Sequence, residues 1–142
     1  MLVAVLSDIH ANLEALQAVL DDMKSHGAEG ILGLGDYIGF NGNPAECLSL
    51  VQPHLLAAVQ GNHEAALMDR AVFGVPMYME MMDRTQDMLS AEQLRWLRRL
   101  PNHTSWQDCM GCGYMLDTSM DAMDTEDSCV QAIMRGGESD GE

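Results

Sequence analysis

The chain has 142 residues, 47% of them apolar, and a net charge of −15. One domain of that length buries a sizeable core, and the charge excludes a nucleic-acid-binding surface, which needs cations to displace counterions. No apolar run approaches the ~20 residues of a membrane span, and Met1 to Leu6 lacks the basic start of a signal peptide, so a cytoplasmic protein is expected.

Leu2 to Leu6 carries no polar residue and reads as a strand covered on both faces. Asn12 can cap the following helix, in which Leu13, Leu16, Val19, Leu20 and Met23 recur at three- and four-residue spacing until Gly27. A second strand spans Gly30 to Leu34; its glycines weaken it but permit close backbone approach. Asn43-Pro44 opens a helix through about Val51, before Pro53. A third strand runs from about Leu55 to Gln60, and a helix from about Asn62 to Arg70. Strands alternating with helices over short connections predict a parallel sheet.

Beyond it, Tyr78 to Leu89 reads as a helix, and Ser90 with Gln93 makes a capping box for another, with Leu94, Leu97 and Leu100 as its stripe and Pro101 as its stop. Cys109 to Tyr114 reads as a short strand and Asp127 to Met134 as a weak helix. Residues 109–142 carry eight acids against one base. This divides the chain into an α/β domain over 1–108 and a divergent acidic segment over 109–142, partly disordered.

Each of the three strands ends in a polar cluster: Ser7-Asp8-Ile9-His10-Ala11-Asn12, Gly35-Asp36-Tyr37-Ile38-Gly39 and Gly61-Asn62-His63-Glu64. Ligands of open parallel sheets bind at the carboxyl ends of the strands. Asp8 and His10 stand two apart, which in an extended segment points both side chains to one side. Carboxylate, imidazole and amide donors together suit Mn, Fe, Zn, Ni or Mg. Two such ions ~4 Å apart clamp a phosphoryl group and activate a water. Taken singly, Asp8 and Asp36 read as caps, and His10 and His63 as structural side chains; three adjacent strand ends together argue for the metal site. His26 falls in the last turn of its helix, suited to the dipole. His54 reads as surface, and the Met79 to Met82 run as packing.

Asp8-x-His10-x-Asn12, Gly35-Asp36-x-x-Gly39 and Gly61-Asn62-His63-Glu64 resemble the calcineurin-like metallophosphoesterase superfamily, closest to its small bacterial and archaeal phosphodiesterase/phosphatase branch, over about residues 1–108. The resemblance implies the parallel-sheet part of a four-layer α/β/β/α sandwich, its second half incomplete here, with two divalent metal ions. It implies that Asp8 and His10 hold the first ion, Asp36 bridges, Asn62 holds the second, and His63 serves the substrate phosphate and leaving group. The implied function is hydrolysis of phosphomonoesters or phosphodiesters, small molecules or phosphoproteins, by a metal-activated water. The family's later histidine ligands have no counterpart in this chain. His103 fits neither of their motifs, and Cys112 before Gly113 is the one further candidate ligand. The alternative is a catalytically inactive, incomplete relative acting as a binding or structural module.

Overall fold

The computed structural model describes residues 1–69, 72, 75–107 and 113–117. The first strand, β1 (Val3–Leu6), leads into α1 (Leu13–Ser25), where the Asn12 side chain accepts from the Ala15 N–H at 3.1 Å. That bond satisfies one of the amides a helix leaves unpaired at its start. His26 caps the other end, its ring Nδ1 lying 2.9 Å from the Asp22 carbonyl.

Next come β2 (Gly30–Gly33) and α2 (Pro44–Val51), the latter opened by Pro44, while Asn43 occupies the cap position without a side-chain capping bond. A single 3-10 turn (Gln52–His54) carries exposed His54 and delivers β3 (Leu55–Ala58). The three strands form a parallel sheet in the order β1-β2-β3, as the alternating pattern predicts. Their carboxyl ends therefore emerge side by side.

Period-two alternation divides the sheet into two faces. Ala4, Leu6, Ile31, Leu55 and Ala58 pack into the larger core with Leu16, Leu48, Val51 and Leu67. Leu32, Leu34 and Val59 form a smaller cluster with Val3, Ala57 and Trp106. All of β2 is buried, as a central strand should be. β1 departs from the expectation of full cover. It is an edge strand, and Val5 remains 49% exposed because no described element covers that side of it.

α3 (Asn62–Met68), α4 (Pro76–Asp87) and α5 (Ala91–Leu97) follow, each within a few residues of its expected bounds. The Met79 to Met82 run packs as expected in part: Met82 is fully buried and Met81 leans on the core. The capping box forms: Gln93 N–H donates to Ser90 Oγ at 3.1 Å, and Ser90 N–H to Gln93 Oε1 at 3.0 Å. Gln93 Nε2 also donates to the Ala45 carbonyl at 2.9 Å, fastening α5 to α2. Ser90→Ala is expected to lower stability by about 1 kcal/mol, read as an earlier midpoint in urea unfolding.

An antiparallel hairpin of β4 (His103–Gln107) and β5 (Gly113–Asp117) closes the described chain, and β4 approaches β3. His103, expected in a turn, begins β4, where its backbone pairs with Asp117. Of the strand expected over Cys109 to Tyr114, Gly113 and Tyr114 are among the described residues and lie in β5, which runs on to Asp117. The helix expected over Asp127 to Met134, the acidic tail and Cys112 lie outside the described residues. Among the described residues no helix is long and apolar enough to cross a membrane.

Candidate metal centre

The ladder between β1 and β2 continues past the strands. Asp8 N–H donates to the Gly35 carbonyl at 3.2 Å, His10 N–H to Asp36 at 2.9 Å, and Ala11 N–H to Tyr37 at 3.0 Å. These bonds hold the first two polar clusters against each other. Yet the segment is not extended. Asp8, His10, Ala11, Asp36 and Phe40 all adopt positive φ, between 47° and 57°. Left-handed backbone costs such residues energy, and its concentration here marks a site the surrounding structure holds under constraint. Asp8 and His10 do meet, with His10 Nε2 3.3 Å from Asp8 Oδ1, but through this turn and not through the strand period expected for them.

Two glycines make the close approach possible. Gly35 (φ +96°) passes so near Gly61 that a Cβ would strike the Gly61 backbone, and a Cβ on Gly39 (φ +88°) would strike the His63 ring. With both bare, the third cluster closes onto the second.

The resulting geometry joins all five residues singled out in the sequence. His10, Asp36 and His63 each present a donor atom within 4.8 Å of the others. Asp8 adjoins His10, and Asn62 adjoins Asp36. The His10 and His63 rings lie 4.4 Å apart, centroid to centroid. His63 N–H donates to Asp36 Oδ1 at 3.0 Å, so the helix start of α3 orients the carboxylate.

Burial raises the Asp36 carboxyl above its ordinary value; the His63 N–H and His10 pull it down, and Asp8 pushes it up. Burial, and then His10, hold His63 down to about 4, with Asp8 pulling the other way. His63 is thus neutral when folded between about 4 and 6.5, where the unfolded chain would protonate it. Stability resting on the neutral ring is intact above about 6.5 and lost as pH falls toward 4. Against His63→Gln, the metal-free protein should lose about 3 kcal/mol across that window. Urea unfolding of both proteins at several pH values reads this, and a pH-independent gap would show that the ring is not held neutral.

The donor set fits a divalent cation. His10 Nδ1 lies 3.2 Å from the Ile38 carbonyl; donating its proton there leaves Nε2 to present a lone pair toward Asp8 Oδ1. A cation between Nε2 and that carboxylate would satisfy both. The Asn62 amide stands against Asp36, its nitrogen donating to Oδ2 at 2.8 Å and to Oδ1 at 3.1 Å, and turned over it would offer its oxygen to a cation held by Asp36.

Glu64 carries a role its position in the third motif did not reveal. Fully buried, it accepts from Asp36 N–H at 2.7 Å, Gly61 N–H at 2.8 Å, Tyr37 N–H at 2.9 Å and Ile38 N–H at 3.4 Å. One carboxylate thus ties the Asp36 loop to the loop bearing Asn62 and His63. Burial, and then the Asp36 carboxylate, push Glu64 up to about 7, against the pull of these backbone donors. The signal available in sequence was a glutamate three residues past Gly61, where a side chain reaches back over a helix start.

A parallel sheet with acids and imidazoles at three adjacent strand ends is the architecture of a metal-dependent phosphoesterase. The chain belongs to the calcineurin-like phosphoesterase superfamily, whose domain matches residues 1–112. It is similar to the solved metallophosphoesterase from Sphaerobacter thermophilus, with 34% identity, a TM-score of 0.62, and coverage of 75% of this chain and 44% of that one. The fold is shared with a hypothetical protein from Pyrococcus horikoshii, at 21% identity and a TM-score of 0.63, covering 74% of this chain and 50% of that one. An uncharacterised protein of Methanocaldococcus jannaschii is 45% identical over 69 residues, 49% of this chain and 28% of that protein. The chain thus spans half or less of the length of these relatives.

Proposed function

We propose that the protein hydrolyses phosphomonoesters or phosphodiesters, with Asp8, His10, Asp36 and Asn62 holding two divalent ions and His63 serving the phosphate. The family supports a phosphate-ester substrate. The observation that carries the reading is the convergence of His10, Asp36 and His63 within 4.8 Å, with Asn62 against Asp36, at three adjacent strand ends. Bound divalent ions would supply charge neutralisation for the phosphoryl oxygens and a water acidic enough to attack.

The chain's own groups set the rest. Asp36 stands between His10 and His63 on one hand and Asn62 on the other, with both its oxygens beside the Asn62 amide, so it would be the carboxylate shared by the two ions. The Ile38 carbonyl keeps His10 Nε2 turned into the site. His63, held neutral by burial, meets a phosphoryl oxygen as a hydrogen-bond donor, and the phosphoryl charge beside it raises its hold on a proton for the leaving group.

The test is hydrolysis of a chromogenic monoester and diester with added Mn²⁺, beside Asp36→Asn. Turnover that requires Mn²⁺ and disappears in the variant supports the reading. A folded protein that turns over neither substrate is instead a binding module built on the same fold.

A further inference from the structure

The turn after β2 places an aromatic ring at the edge of the metal centre. Phe40 is 56% exposed and sits at φ +57°, a conformation that glycine or asparagine adopts at less cost. Its ring centroid lies 4.8 Å from that of His10 and 4.7 Å from that of His63. On the far side Tyr78 of α4 stands 6.1 Å away. The Phe40 N–H donates to Met81 Sδ at 3.1 Å, which fixes the turn against α4. Beyond the ring opens a cavity of about 700 Å³ between the turn and α4, with Met77, Met81 and Met88 in its wall.

Phe40 joins the two places: it lines the cavity, and its ring touches the His10 and His63 rings of the cluster that would hold the phosphoryl group. The cavity's charges are Glu80, Arg84 and Asp87. Among the described residues Arg84 is its only cation and is already engaged, Nη2 lying 2.6 Å from Glu80 Oε1. With Asp87 added, the described lining is net negative. A second phosphate finds no free cation among these residues. A flat uncharged ring finds an aromatic face and polarisable thioethers, which pack well against rings.

Resting on the phosphoesterase reading, the geometry points to Phe40 and the facing side of α4 as the subsite for the organic group of the substrate, which takes a flat, uncharged aromatic ring. Phe40 is then a specificity residue: it sits beside the reacting phosphate and holds what the phosphate is attached to.

Adenosine 5′-monophosphate and ribose 5-phosphate share one leaving alkoxide and differ by the ring. Their phosphonate analogues, with methylene in place of the bridging oxygen, cannot be hydrolysed. Calorimetry on the Mn²⁺-loaded full chain should find the adenosine phosphonate bound at least about tenfold more tightly than the ribose phosphonate. Phe40→Ala should bring that ratio to within about threefold of one, and Phe40→Leu should leave it between the two. Phenyl phosphonate as a third ligand identifies the ring: weaker than the adenosine analogue means a nucleobase, equal means a simple aryl group. Equal binding of the adenosine and ribose analogues, binding of neither, or a ratio that survives Phe40→Ala overturns the proposal. Because binding decides it, a failure of hydrolysis alone counts against the catalytic reading and not against this one.

Discussion

Replacing Glu64 with alanine is expected to remove about 3–5 kcal/mol of folding stability and to weaken divalent-metal binding by roughly 10- to 100-fold. The carboxylate is the common acceptor for N–H groups of Gly61, Asp36, Tyr37 and Ile38. Truncation orphans all of them in the interior, and each buried unsatisfied donor costs about 1–3 kcal/mol before water relieves part of it. The loop carrying Asp36 then loses its tie to the start of α3, so the second effect follows from the first. Urea unfolding reads the stability and Mn²⁺ titration the affinity. A loss below about 1 kcal/mol would mean that the four amides find other acceptors. Normal Mn²⁺ affinity in a destabilised variant would mean that Glu64 stabilises the fold without positioning the ligands.

Glu64 also marks where reading a sequence stops. Its main partners lie 26 to 28 residues away, and nothing local to Gly61-Asn62-His63-Glu64 shows that three amides of another loop converge on it. The order β1, α1, β2, α2, β3 was legible because its punctuation is local: Asn12 as cap, Gly27 as stop, Pro44 and Pro53 around α2. In a parallel sheet the clusters share an edge, and the five residues named in them are neighbours in the structure. Their geometry was not legible. Asp8 and His10 meet through left-handed backbone where strand periodicity would have them extended, because bonds to Gly35 and Asp36 on the adjoining loop bend the segment. β4 escaped notice for the opposite reason. His103-Thr104-Ser105-Trp106-Gln107 has little apolar alternation, and its pairing with β5 is a backbone ladder that any side chains permit. Phe40 looked like a loop residue, and only its position between His10, His63 and α4 gives it significance.

Asp36→Asn is expected to separate stability from function. Burial raises the Asp36 carboxyl above its ordinary 3.8, so its ionised form is the costlier one to fold. Sign follows directly: above the unfolded value, ionising Asp36 subtracts from the stability of the metal-free protein as pH rises. An asparagine does not ionise, and its amide oxygen still accepts the His63 N–H that now reaches Asp36 Oδ1. At pH 7 the metal-free variant should therefore be at least as stable as the parent. Its Mn²⁺ affinity should fall by roughly a hundredfold or more, since the charge shared between His10 and Asn62 is gone. Thermal unfolding with and without Mn²⁺ reads both effects, because a ligand that binds only the folded state raises the midpoint, and the rise grows with the logarithm of its affinity. The parent midpoint should climb with Mn²⁺ and the variant's should stay where it was. Equal Mn²⁺ shifts in the two proteins would place the ions away from Asp36, and a variant markedly less stable without metal would show that the carboxylate serves the fold. Either result would break the argument that a costly buried charge persists here because a cation offsets it.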